Sequence, residues 1–575
     1  MHFFNGGAPI LHVTARENNV MDIFCTSITN APWKTSHSNY IAGNNYYLAC
    51  AEYSGKIKLP FSENWIILSR VEYNMTVSWS PPNWLWGYFI PVGLLLLTWG
   101  GLDKQQARRV TSLAGFSLAI TALCYWAVGF AFHMGGAQAV LPDNPALEGL
   151  GVLYTLVPDQ PGWGFIGLDG FFLAGNAIGP AVYGYFLTYL PLLATSVLFI
   201  SFAMQKFRRS LVLMTAVLVA ALVVPVALCW VWGSGWLAHL GETMGFGYGF
   251  VDFGGGSLVF WLPAMLLLGF LLVQPGRLSG RLSLQNPPVT HHPLVANIGA
   301  LLLGIGWMGW ILSNPFHIAG ANIYWQRTAL SLILGMAGAV LSSQLYAWLV
   351  MGAPEALLAA RGLSAGWAAL MVGAPFLSPW LAFVLGLLSG FVFPFIQSAA
   401  ESFAKFQQAA ATLAMGITAG PMGVFSVVLF ADGSWGQGWN NIVRIAEAVS
   451  PDTTSSLSGV AGIFVTRDLA QLKAQVVGLA ALGLWGLFWG VIIGIFARIF
   501  APVETPGKAN TVASTADSIA EPVQVDKFSE LKPASGADTS EGLQPEGLSG
   551  EEDALQPPGL TVQENMAAGA VHDQA

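Results

Sequence analysis

Residues 229–260, CWVWGSGWLAHLGETMGFGYGFVDFGGGSLVF, decide the fold. An apolar run arrives at a Trp/Gly-rich turn and a short loop comes next. A lone carboxylate, Asp252, then precedes three consecutive glycines that open another long apolar run. After Glu242, Asp252 is the only carboxylate until well past the end of that run near Gln274. A charge at a helix start caps free backbone N–H groups. Gly254, Gly255 and Gly256 remove side chains where two helices need to approach closely. The pattern reads as the mouth of a helical membrane bundle.

The rest of the chain has the composition such a bundle needs. Of its 575 residues 54% are hydrophobic and only 9% charged, and the mean hydropathy is +0.58. A soluble domain carries roughly 25% charge, so a soluble reading fails. Much of the acid behind the net charge of -8 lies in the C-terminal tail, so neither a nucleic-acid partner nor a steered acidic substrate is indicated. Cys124 and Cys229 sit in apolar runs and read as small hydrophobes. No metal-ligand spacing occurs, and no metal or other cofactor is expected.

Eleven spans are predicted, at about 84–100, 110–134, 180–204, 210–232, 253–274, 293–313, 326–350, 363–377, 380–398, 409–431 and 475–500. Lys104, Arg108 and Arg109 come after the first span. Lys206, Arg208 and Arg209 come after the third, and Arg277 and Arg281 after the fifth, whereas the connections after the second and fourth carry none. Excess Lys/Arg marks the cytoplasmic side, so the start is placed outside and the C-terminus inside a cell membrane. The expected fold is an all-α, multi-pass membrane protein in contact with lipid, with an inverted repeat of five plus five spans and a final helix. Residues 1–74 differ in character from the rest of the chain; they read as an outer segment or as untranslated sequence before a start at Met75. Residues 75–500 form the transmembrane domain. Residues 501–575, rich in Pro, Ser, Thr, Ala, Gly, Glu and Asp, read as a disordered acidic cytoplasmic tail.

Four stretches in this order resemble the ammonium transporter / Rhesus-protein family. They are KFRRSLVLMTAVLVAALVVPVALCWVWGSGWL from 206, VDFGGGSLVF from 251, HHPLVANIGALLLGIGWMGWILSNP from 291 and RGLSAGWAALMVGAPFLSPWLAFVLGLLSG from 361. The resemblance covers about residues 84–500. It implies a homotrimer, each subunit with its own narrow apolar pore, an outer aromatic vestibule that captures ammonium, and two facing pore histidines. Carried onto this sequence, Trp232 matches the vestibule Trp and Trp310 one aromatic of the stacked gate. Asn314 lies where the family often has the vestibule Ser, and Asp252 matches the buried structural Asp. The alternative for Trp232 is an interfacial belt residue, and Trp310 reads equally as part of a Gly-spaced packing face.

The departures from the family are as informative. The first pore histidine falls on Phe260 and the second region puts Gly416 at the other, so neither position carries a titratable group. The Asn of the sixth-span motif becomes Ile311. His133, His239 and His317 fall at predicted outer ends and His291 with His292 at an inner end, where interfacial or capping roles are expected. Gln407 and Gln408 offer polar substitutes in the tenth span. The implied function is a channel or transporter for a small neutral or weakly basic solute, ammonia/ammonium by default. The competing readings are a non-conducting sensor or scaffold and a transporter of another small solute. An enzyme is not expected, since no acid/base or nucleophile constellation lies in the spans.

Overall fold

The computed structural model describes residues 83–500, apart from 176–178, 275–290, 313–322, 405–406, 443–445 and 450–453, together with four short strands within the first 67 residues. The chain divides into Met1–Val503 and Glu504–Ala575. The tail at 501–575 and most of 1–74 lie outside the described residues.

Among the described residues ten helices are long and apolar enough to cross a membrane. They are Lys104–Val140, Pro180–Ala203, Arg209–Val231, Gly256–Val273, Pro293–Ile311, Trp325–Met351, Ala356–Phe376, Pro379–Glu401, Gln407–Phe430 and Ala470–Phe500. The shorter apolar helix Trp84–Gly100 precedes them and is counted here as the first span. The protein is thus an all-α membrane bundle. Among the described residues of the bundle, paired strands occur in two short hairpins between spans, Leu153–Thr155 with Gly164–Gly167 and Ala446–Val449 with Thr454–Leu457.

Local sequence sets the helix ends. Asp103 accepts from the amides of Gln105 and Gln106 and starts the second span. Glu355 does the same for Leu357 and Leu358 at the start of the eighth. The seventh span stops at Gly352, whose φ of 79° suits a residue without Cβ. The second span starts before the expected 110 and runs on to Val140, and the eighth begins earlier than 363. Hydropathy misses the early starts because they carry Lys104, Arg108 and Arg361.

Burial separates central from peripheral spans. The eighth and third have 89% and 83% of their apolar window buried, whereas the second, ninth and eleventh have 39% or less and present their remaining apolar faces outward. Outward apolar faces such as Leu341, Leu345 and Trp348 suit hydrocarbon rather than water.

The packing repeats. The first span packs on the sixth and the fifth on the tenth. The first–third pair has its counterpart in sixth–eighth, third–fifth in eighth–tenth, third–tenth in fifth–eighth, and second–fourth in seventh–ninth. Exchanging the two halves by a shift of five spans carries each of these four pairs onto its counterpart and the first–sixth and fifth–tenth pairs onto themselves. Because five is odd, the second set enters from the opposite face, which is the arrangement of an inverted repeat. The eleventh span lies along the fifth.

Candidate pore and vestibule

The site forms where the fourth span ends and the fifth begins. The turn after the fourth span reads WGSGW. Gly233 approaches the second span so closely that a Cβ would come within 2.1 Å of the His133 carbonyl oxygen. This turn brings Trp232 over the loop Val251–Gly255, where its indole N–H donates to the Asp252 carbonyl at 3.0 Å. Asp252 itself is fully buried. Its carboxylate accepts from the amides of Gly255 at 2.9 Å, Ser257 at 2.9 Å and Leu258 at 3.3 Å. These donors are the free first-turn amides of the fifth span, which opens as a π-turn over Gly256–Trp261. Burial pushes the Asp252 carboxyl up to about 6, with the hydrogen bonds from Ser257, Leu258 and Gly255 acting against that rise.

The three glycines serve three neighbours. Gly254 lies against Met371 of the eighth span and donates its amide to the Met371 carbonyl at 2.7 Å. Gly255 has φ of 81° and faces the Trp232 ring, where a Cβ would come within 2.7 Å. Gly256 faces Ala368 and Val372. From the far side two glutamines at i,i+4 on the eleventh span grip the same loop. Gln471 pairs with the Tyr248 amide and Gly249 carbonyl, and Gln475 with both the amide and carbonyl of Val251.

Two aromatic layers lie beneath this turn, set one helical turn apart by Trp310 and Trp307 of the sixth span. The outer layer is Trp232, Trp310 and Tyr189. The two indoles lie 5.5 Å apart, and the Tyr189 ring lies 5.9 Å from one and 6.3 Å from the other. Trp310 donates to the Thr188 carbonyl at 2.7 Å, shortly before Pro191 of the third span. The inner layer is Phe260, with Phe199 edge-on at 5.1 Å and Trp307 at 5.3 Å. Trp307 donates to the Gly254 carbonyl at 2.8 Å. Both layers are closed: Phe260, Trp307 and Trp310 are 0% exposed and Trp232 is 8%.

Gly416 lies at the crossing of the tenth and fifth spans. A Cβ there would come within 2.1 Å of the Ala264 Cβ and 2.8 Å of the Phe260 carbonyl oxygen. Gly420, one turn on, lies against Trp261, where a Cβ would come within 2.6 Å of the Trp261 Cβ. Gly416 therefore supports Phe260 through backbone contact and has no space for a side chain. Asn314 and His317 lie outside the described residues. Gln408 is buried and Gln407 half-buried on the tenth span.

His133 departs from the expected interfacial or capping role. The second span continues past it, and the turn at Gly233 covers it, so it is fully buried. Its Nδ1 pairs with the Tyr125 hydroxyl at 2.9 Å and its ring lies 4.7 Å from Tyr189. His239 sits beside Glu242 at 2.9 Å at the start of a short helix between spans. Sequence reading also missed Tyr189, Trp307, Gln471 and Gln475. Trp307 shares a face with Trp310 by its i,i+3 spacing, and the glutamines form an i,i+4 polar pair at the start of an apolar span. For Tyr189 no local signal exists.

The sequence profile described as Ammonium Transporter Family matches residues 85–505. The chain is 26% identical over 391 residues to Ammonium transporter Amt2 of Archaeoglobus fulgidus, covering 67% of this chain and 76% of that protein. Among solved structures it is similar to one titled Sensor Amt Protein, with a TM-score of 0.55 and 16% identity over 73% of this chain and 94% of the other. It is likewise similar to Saccharomyces cerevisiae Mep2, with a TM-score of 0.54 and 18% identity over 75% and 91%. Both structures share the bundle described above. With the profile spanning the whole transmembrane region, the chain belongs to the ammonium transporter family: it is a multi-pass membrane transporter or channel for a small solute, not an enzyme.

Proposed function

We propose that the protein conducts a small neutral or weakly basic solute, ammonia by default, through a path in each subunit of a homotrimer. Trp232 and Trp310 belong to its outer vestibule and Phe260 forms its waist. The N-terminal end of the bundle faces outside and the C-terminal end the cytoplasm. The observation that carries this reading is the chemistry of the waist. Phe199 and Phe260 have no polar side-chain atom, and the Trp307 N–H is already used on the Gly254 carbonyl. An ammonium ion entering here would give up its hydration without a replacement, a penalty of several kcal/mol. Neutral ammonia has far less hydration to lose, so an apolar waist favours it over the ion. Passage requires the Phe260 and Phe199 rings to swing aside.

A second reading, a non-conducting sensor or scaffold, is favoured by the same waist, because Phe260 is completely enclosed. Reconstitution into liposomes separates the two. Ammonia-driven internal alkalinisation above that of empty liposomes, without ammonium current, is expected for the wild type. Phe260→His is expected to add current, since it supplies a polar partner at the waist. Neither signal from an intact assembly would sink the conduction reading.

A further inference from the structure

Buried beside the outer aromatic layer is one polar group that the fold leaves unpaired. His133 Nε2 has no hydrogen-bond partner, although the residue is 0% exposed. Its other nitrogen decides what kind of group this is. The Tyr125 hydroxyl lies 2.9 Å from Nδ1 and is itself fully buried. If Nδ1 carried the hydrogen, the phenol proton and the Nε2 lone pair would both be orphaned. If Tyr125 donates to Nδ1, a single orphan remains, an Nε2–H donor. The Tyr189 ring, 4.7 Å from the imidazole, offers that donor at most a weak N–H···π contact.

We propose that His133 Nε2–H is a docking point for a small neutral solute bearing a lone pair, placed beside Tyr189, whose ring in turn meets Trp232 and Trp310. On the conduction reading, on which this inference rests for the identity of its solute, that solute is ammonia. Ammonium has only hydrogens to offer and is turned away by a donor, so the group selects the neutral form before the apolar waist is reached. The position is built rather than incidental. Gly233 admits the His133 backbone against the exit turn of the fourth span, Tyr125 fixes the tautomer, and Tyr189 links the imidazole to both vestibule indoles. No titration of the imidazole is involved.

The test uses the full chain in liposomes with its nine histidines 15N-labelled in the ring. The His133 signal is identified by its loss in His133→Leu or, should that variant not assemble, by its displacement in Tyr125→Phe. Ammonium chloride is titrated at fixed, mildly alkaline pH, with sodium chloride and tetramethylammonium chloride as controls. The His133 Nε2–H resonance is expected to move with ammonium chloride and with neither control, and ammonia flux in His133→Leu to fall by about tenfold, the worth of one hydrogen bond. A resonance that stays in place while the wild type conducts ammonia overturns the docking role and leaves conduction standing. A resonance that moves in a protein without flux keeps the docking role and removes conduction. A resonance that responds equally to all three salts reports ionic strength and overturns the proposal.

Discussion

The outer and inner aromatic layers are made from the same kinds of residue, one helical turn apart on the sixth span, yet they differ in polar chemistry. In the outer layer Trp232 and Trp310 are joined by a tyrosine, whose ring lies against His133 of the Tyr125–His133 pair, with Nε2 unpartnered. In the inner layer the polar atom of Trp307 is committed to the backbone, and the Phe260 and Phe199 side chains have none. On the conduction reading, the difference would separate recognition from passage: polar groups lie where a solute would still keep part of its hydration, and they are withheld where it would have to be desolvated. Indoles serve both layers because a Trp fills space like a hydrocarbon while its N–H pins backbone, the loop at Asp252 and Gly254 for Trp232 and Trp307 and the third span at Thr188 for Trp310.

The comparison breaks most visibly at Phe260. Phe260→Ala removes the centre of the inner layer and is expected to cost about 4 kcal/mol of stability, read as a lower melting temperature of the detergent-solubilised protein. If the waist limits passage, ammonia flux through the surviving protein rises. Unchanged flux would move the barrier elsewhere.

Next in size is the response to pH, which comes from Asp252 in the loop held by the Trp232 and Trp307 indoles. Burial raises its folded value from 3.8 to about 6. An acid raised on folding stabilises the protein fully below its unfolded value, and that contribution is lost as pH rises through the folded one. Stability is therefore expected to fall by about 3 kcal/mol between pH 4 and pH 7 on this account. Asp252→Asn, which cannot ionise, should flatten that slope; an equal slope in the variant would assign it to other groups.

The smallest effect sharpens the comparison within the outer layer. Trp232→Phe keeps the aromatic face and deletes the N–H to the Asp252 carbonyl, so about 1 kcal/mol is expected. A loss several times larger in the same melting measurement would mean that this single bond, rather than the ring, anchors the loop.

Much of the fold was legible in the chain. The predicted span at 210–232 is found at Arg209–Val231 and that at 293–313 at Pro293–Ile311, because hydropathy over a bilayer thickness and basic residues between spans are local properties. Asp252 before three glycines announced a capped helix start and close approach, and the structure supplies the donors and neighbours of each. The sequence by itself determined that this is a helical membrane bundle, where most of its spans lie, and that Phe260, without a titratable group, stands at the position matched to the family's first pore histidine. Only the tertiary structure decided the partners. Tyr189 joins residues from the fourth and sixth spans, and His133, placed near a span end by hydropathy, is sealed by a glycine turn a hundred residues away. Gly416 meets the Phe260 backbone across two helices. Such contacts depend on helix rotation and crossing distance, which close packing fixes through many small contacts from both sides, and no single stretch of sequence encodes them.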